Sequence, residues 1–291
     1  MQTTSAPLAR PNWLTPAVWP FETRTIQSDG VAIAVTDVGT GPTLLFVHTG
    51  MWSFVWRDLL LRLSDEFRCV TFDAPGTGRS GRPGRRGTTL AAAARATGAV
   101  VDQLDLDEVT LVLHDLGGLA GLAAAAHLPK RIGAIVAINT FGWRPTGPAF
   151  RGMLALMGSA PMRELDVLTN WLPRFTASNA GAGRHLDKTS RRAFRAGIDR
   201  SARRSFHRYM RDARNPDALL EDVNRAVVDL GGRPLLTIFG EKNDPLHFQP
   251  QWKSRFANTR QLVVSNGHHF PMCDDPDLVA QSIRTWVSQT H

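Results

Sequence analysis

Short apolar runs recur along the chain, separated by longer stretches of mixed character. Arg24–Ser28 and Val31–Asp37 alternate apolar and polar residues about Asp29-Gly30, a pattern that predicts a hairpin. The later runs are mostly apolar: Thr43–Val47, Arg68–Phe72, Val109–Leu113, Ile132–Ile138 and Leu235–Phe239, with Gln261–Val264 as the last strand. Continuous apolar runs of this length, bounded by turn residues, predict strands buried on both faces. Helical stretches fall between them: Phe54–Leu63, Thr88–Leu104, the Ala-rich stretch from Gly117 to Leu128, and Asp277–Ser288. Alternation of this kind predicts an α/β fold, a mostly parallel sheet flanked by helices. The rhythm breaks after Asn139. From Phe141 to Leu230 no apolar strand is evident, so 141–230 reads as a helical insertion between core segments 1–140 and 231–291.

The fold is organised around Val109-Thr110-Leu111-Val112-Leu113-His114-Asp115-Leu116-Gly117-Gly118. A buried strand that bends sharply into a helix, with small residues just after the bend, lifts one side chain over the end of the sheet. That side chain is a carboxylate, Asp115. A serine at such a bend attacks acyl carbons. A carboxylate displaces a leaving group at saturated carbon and forms an alkyl ester, which water must then cleave. An Asp here also suits capping the helix that follows.

Composition narrows the class. The 291 residues are 43% hydrophobic, enough for a large core, and no run is long and apolar enough to span a membrane. Residues 1–20 hold Pro7, Pro11, Pro16 and Pro20 without an apolar leader core, and are expected to form an extended arm laid down by Trp13 and Trp19. Cys69 and Cys273 make no disulfide framework and are expected to be free thiols in a reducing cytoplasm. The net charge is +8, with Arg191, Arg192, Arg195, Arg200, Arg203, Arg204, Arg208, Arg211 and Arg214 in one short segment. A solvated helical face accounts for them. Nothing else points to nucleic acid. The loop Asp73-Ala74-Pro75-Gly76-Thr77-Gly78-Arg79-Ser80 lacks the spacing of a phosphate or dinucleotide cradle.

Two later strand ends offer a base and an acid. Leu235–Phe239 leads to Gly240-Glu241-Lys242-Asn243-Asp244-Pro245, and Gln261–Val264 leads to Ser265-Asn266-Gly267-His268-His269-Phe270. Chemistry in open α/β sheets collects at the carboxyl ends of the strands. Asp115, Asp244 and His269 fall there in the order nucleophile, acid, base. His269 would take a proton from water, and Asp244 would orient its ring. His268 is the alternative base, and Glu241 and Asn243 compete with Asp244. After the third strand, His48-Thr49-Gly50-Met51-Trp52 forms a turn. Backbone N–H groups of Thr49 and Gly50, with that of Leu116, could face developing negative charge, and Trp52 could add its indole N–H. His48, Trp143, Trp171 and Tyr209 are further candidates for the substrate pocket.

These segments resemble the α/β-hydrolase superfamily, in particular the branch of haloalkane dehalogenases and epoxide hydrolases. The likeness runs from Pro20-Phe21-Glu22 onward. Its specific parts are His48-Thr49-Gly50 with Ser53-Phe54-Val55-Trp56-Arg57, the 73–80 loop, His114-Asp115-Leu116-Gly117-Gly118, and Gly267-His268-His269-Phe270 with Asp275-Pro276. The resemblance implies an α/β-hydrolase fold, a helical cap built from the insertion, and hydrolysis through an alkyl-enzyme ester. Haloalkane dehalogenases hold the leaving halide with an Asn after the third strand and a Trp after the nucleophile; here those places read His-Thr-Gly-Met and Leu116. Related epoxide hydrolases protonate the oxygen with two cap tyrosines, and Tyr209 is the only tyrosine of this chain. The fluoroacetate-type relatives' Arg after the nucleophile is also absent.

The expectation is therefore a haloalkane dehalogenase-like hydrolase with an Asp115–His269–Asp244 triad acting on a small or medium apolar electrophile. Epoxide hydrolysis, β-lactone processing, or ligand binding without turnover are the alternatives. No metal or organic cofactor is implied, and no nucleic-acid or membrane partner. The chain is expected to be a monomer or homodimer.

Overall fold

The computed structural model describes residues 6–144 and 146–290; the first five residues of the predicted arm lie outside it. Eight strands form one sheet: β1 Arg24–Ser28, β2 Val31–Val38, β3 Thr43–Val47, β4 Arg68–Phe72, β5 Val109–Asp115, β6 Ile132–Thr140, β7 Leu235–Gly240 and β8 Thr259–Val264. Their order is β1-β2-β4-β3-β5-β6-β7-β8. The hairpin β1–β2 and the β2–β4 pair are antiparallel, and every pairing from β4 to β8 is parallel. The central strands β5 and β6 are buried from end to end save for Asp115, which explains their unbroken apolar sequence.

Helices α1 Arg57–Leu63, α2 Leu90–Gln103 and α3 Gly117–Ala125 connect the first half of the sheet. Six more lie between β6 and β7: α4 Pro148–Met157, α5 Ala160–Thr169, α6 Trp171–Thr176, α7 Lys188–Ala196, α8 Arg200–Arg214 and α9 Asp217–Leu230. The chain closes with α10 Phe248–Lys253, α11 Pro271–Asp274 and α12 Pro276–Thr290. Helices α2, α3 and α9 pack together on one side, and α1, α11 and α12 form another group.

The placement of α9 moves a boundary. The insertion was expected to end at 230, yet α9 packs on α3 and belongs to the layer flanking the sheet. The physical reason is the parallel pairing of β6 with β7, which requires a crossover helix against the sheet. The covering helices are thus α4–α8.

The N-terminal arm lies against the core. Trp19 is buried between Phe21, Trp52 and Phe54, while Trp13 meets Trp52 edge-on with centroids 5.6 Å apart. Arg10 caps the arm by donating to the carbonyls of Trp19 and Phe21. Cys69 and Cys273 are free and buried, and burial pushes the Cys69 thiol up to about 12.

Candidate active site

Strand β5 delivers Asp115 at the carboxyl end of the sheet with φ +51°, in the left-handed region that an L-residue occupies only at a cost. The bend is held from β6, where Thr140 Oγ1 donates to the Asp115 carbonyl at 2.5 Å. It also depends on two close approaches. A Cβ on Gly117 would fall on the Val47 carbonyl oxygen, and one on Gly118 would fall on Thr140 Oγ1 and the Phe141 carbonyl. Gly118→Ala is therefore expected to cost about 1–3 kcal/mol through overpacking despite the better helix propensity. Gly98→Ala, in α2 with its nearest neighbour 3.9 Å away, should be neutral or slightly stabilising. Urea unfolding of the two variants checks the contrast.

The Asp115 carboxylate faces a cavity of about 580 Å³. Core residues Met51, Leu116, Phe239 and Phe270 meet Phe150, Leu154, Met157, Trp171, Leu172, Phe206 and Met210 of the covering helices on its walls. Burial raises the Asp115 pKa above the usual carboxylate range, while nearby His269 and the Leu116 N–H pull it back.

His269 is the histidine that meets Asp115, with Nε2 4.0 Å from Oδ2, a separation one water can bridge. His268 points elsewhere: its Nδ1 lies 2.6 Å from Arg184 Nη2, and its N–H donates to Asp274 at 2.5 Å. The backbone of the pair is fastened from below. His114 Nε2–H donates to the His269 carbonyl at 2.8 Å, and Asn139 Nδ2 donates to the carbonyls of His268 and His269 at 2.7 and 3.0 Å. Asn139 Oδ1 accepts from Gly240 N–H at 3.0 Å, so one side chain joins the ends of β6 and β7 to the loop after β8. Sequence reasoning missed this residue. An Asn near the end of an otherwise apolar strand was the available signal; in the structure it takes φ +38° there.

Asp244 does not reach His269. Its two oxygens accept from the N–H groups of Phe248 and Gln249 at 2.6 and 2.9 Å, capping α10. The orphan amides at a helix start are strong competitors for a carboxylate. The Asn243 side-chain amide instead lies 3.4 Å from His269 Nδ1. Glu241 accepts from the Asn266 N–H and takes no part.

Several other expectations are corrected. Trp52 donates its indole N–H to the Phe194 carbonyl at 3.0 Å and is buried in the aromatic cluster beneath the arm. Tyr209 is buried and donates its hydroxyl to the Pro75 carbonyl at 2.8 Å, which leaves it no proton for a ligand. Trp143 packs on Phe248 and Trp252 under the Arg255 guanidinium, away from the cavity. Thr49 and Gly50 stop short of the wall, which Met51 reaches instead; Phe206 lies over Gly50. Leu116 and Trp171 do line the cavity. The Trp171 indole N–H is buried and has no partner among the described residues, an outstanding donor of the kind native structures rarely leave.

His48 lies behind the site, stacked on His114 with ring centroids 4.9 Å apart. Burial, helped by nearby His269, pushes the His48 pKa down to about 3, and burial pushes His114 well below its ordinary value. Both rings are neutral when folded but take up protons when unfolded. Their contribution to stability is thus present above the unfolded histidine value and is lost as pH falls below it. Going from about pH 7.5 to about pH 5 should cost about 2 kcal/mol from the His48 ring, with His114 adding in the same direction. A His48→Asn chain, whatever its starting stability, should lose about 2 kcal/mol less over that interval in urea titrations.

The sequence matches the Alpha/beta hydrolase family over residues 44–282. It is 31% identical over 276 residues to Haloalkane dehalogenase 2 of Mycobacterium tuberculosis, covering 92% of this chain and 96% of that one. The chain belongs to the α/β-hydrolase family. Within the family it falls on the haloalkane dehalogenase-like branch. It is also 27% identical over 291 residues to a cis-3-alkyl-4-alkyloxetan-2-one decarboxylase of Shewanella oneidensis, covering 93% of this chain and 90% of that one. Its fold matches the crystal structure of the haloalkane dehalogenase DatA from Agrobacterium tumefaciens C58 with a TM-score of 0.77 at 22% identity, over 95% of this chain and all of that one. The mostly parallel eight-stranded sheet flanked by helices is this family's fold. Among the described residues no helix is long and apolar enough to cross a membrane.

Proposed function

We propose that this α/β-hydrolase cleaves a small or medium apolar electrophile in two steps through an ester on Asp115, with haloalkanes as the first substrate class. The observation that carries the proposal is the placement of a strained, cavity-facing carboxylate within one water of a fastened histidine. In the first step an Asp115 oxygen attacks saturated carbon. The carbon–oxygen bond forms as the carbon–halogen bond breaks, and halide leaves with the electron pair. In the second step His269 takes a proton from water, and the hydroxide adds to the ester carbonyl carbon. As the intermediate collapses the carbon–oxygen bond to the alkoxide breaks and His269 returns its proton to that oxygen, releasing the alcohol; the acid proton left on Asp115 passes to solvent, and one carboxylate oxygen is now drawn from water.

That last detail supplies the test. A single turnover in ¹⁸O-water, over a panel of haloalkanes, epoxides and β-lactones, should leave label in the peptide containing Asp115. Label found only in the product would exclude the ester route.

Trp171 is the proposed donor to the leaving group. The position after Asp115 is Leu116, so no indole is supplied there, whereas Trp171 lines the cavity and its buried indole N–H has no partner among the described residues. Trp171→Phe should lower the rate of ester formation by about 10²-fold, the loss of one donor to developing charge. Pre-steady-state halide release would measure it. The epoxide reading has lost its tyrosine, since the Tyr209 hydroxyl is engaged with Pro75. The β-lactone reading is favoured by one observation, the likeness to a relative named as an oxetan-2-one decarboxylase. Its substrates belong in the same panel.

A further inference from the structure

The covering helices present an unusual surface. Five of the nine large exposed hydrophobic side chains among the described residues lie on α4–α6. Met153 and Leu156 are three apart on α4, Leu165 and Leu168 three apart on α5, so each pair shares a helix face. Phe175 follows on α6. Leu168 is 79% exposed and Phe175 56%, far beyond what packing requires. Met153 and Phe175 also line the Asp115 cavity, so the cavity meets solvent on this same face.

Cations border it. Arg174, next to Phe175, joins Lys188, Arg191, Arg192 and Arg195 around a second hollow of about 360 Å³ whose lining holds no carboxylate. Arg191 spends its hydrogen bonds on the Leu186 carbonyl and Asn179 rather than on an acid. The segment from α4 to α7, residues 148–196, carries eight Lys and Arg against three Asp and Glu.

We propose that the α4–α6 face and the adjoining α6–α7 basic hollow dock on the surface of an anionic lipid bilayer. Exposed Leu, Met and Phe enter the headgroup boundary, and the Arg and Lys side chains meet lipid phosphates. The mouth of the cavity is then turned toward the lipid. A second copy is a poor occupant, because an isologous contact would set two such cation clusters against each other. A nucleic acid would use the cations and leave Leu156, Leu165 and Leu168 bare. The docking stands on the surface alone and does not depend on the reaction proposed above.

The test is co-sedimentation of the full chain with vesicles of phosphatidylcholine alone and of phosphatidylcholine mixed with phosphatidylglycerol. Binding should be at least about tenfold stronger to the mixed vesicles. Leu168→Asp should reduce it about tenfold, as should the pair Arg191→Glu and Arg192→Glu. Leu168 is so exposed that its replacement should leave the thermal melt unchanged. Equal affinity for both vesicles, or none, would overturn the proposal. So would loss of binding in the arginine pair with none in Leu168→Asp, which would signify bare charge adsorption. A dimer in light scattering that Leu168→Asp dissolves would assign the face to self-association and overturn it as well.

Discussion

A His269→Ala chain should form its ester and fail to release it. Intact mass after exposure to substrate should rise by one fragment per chain, while steady turnover falls by about 10²–10⁴-fold, the usual worth of a positioned general base. The mass identifies the chemistry. A haloalkane leaves its alkyl group without the halogen, whereas an epoxide or a β-lactone opens and leaves all its atoms. Asp115→Asn should show neither adduct nor turnover, which localises the ester. The pH dependence of trapping has a definite sign. Burial holds the Asp115 pKa above the carboxylate range, and His269 is the leading influence pulling it down. With His269 gone, the nucleophile should protonate at a higher pH, and the acid limb of adduct formation should move up rather than down. Undiminished turnover in His269→Ala would overturn the assignment of the base. A persisting adduct on Asp115→Asn would overturn that of the nucleophile.

What the sequence made legible follows from which forces act locally. The strands from β3 to β7 are buried between helices, so their apolar runs mark them directly, whereas the edge strand β8 is largely exposed; the bend at Asp115 is announced by Gly117-Gly118 because no Cβ fits there. Of the adjacent histidines, His269 lies 4.0 Å from Asp115 while His268 turns to Arg184. Residues read as ligand contacts fared differently. Trp52, Trp143 and Tyr209 carry polar handles on large apolar bodies, and a buried backbone carbonyl or a guanidinium face satisfies such a group as well as a substrate would. No spacing rule distinguishes those partners, because they come from distant segments: Phe194 for Trp52, Pro75 for Tyr209, Arg255 for Trp143. The same limit hid Asn139, whose three partners lie about a hundred residues or more away. The place of α9 was hidden too, since its role as a crossover depends on the pairing of β6 with β7.

Asn243→Asp should speed release of the ester by about 10–100-fold, and Asp244→Asn should chiefly cost stability. His269 Nδ1 faces the Asn243 amide at 3.4 Å while the Asp244 carboxylate is engaged by two amides of α10. When His269 takes a proton from water, its ring becomes cationic. A neutral amide orients the ring but does little for that charge. A carboxylate in the same seat stabilises it, and in serine proteases the exchange of Asp for Asn there lowers kcat about 10⁴-fold. A smaller gain is expected here, because the seat is shaped for an amide. An alternative arises if the loop rearranges during turnover so that Asp244 leaves its cap and reaches His269. Single-turnover hydrolysis separates the two. With Asn243 as the working partner, Asp244→Asn should lose about 1–2 kcal/mol in urea from the weakened cap and keep its hydrolysis rate within about threefold. A fall approaching 10⁴-fold in a folded Asp244→Asn chain would make Asp244 the acid and reduce Asn243 to a bystander. In the first case one side chain sets the pace of the second step, because an amide in that seat leaves the cationic His269 ring without a countercharge.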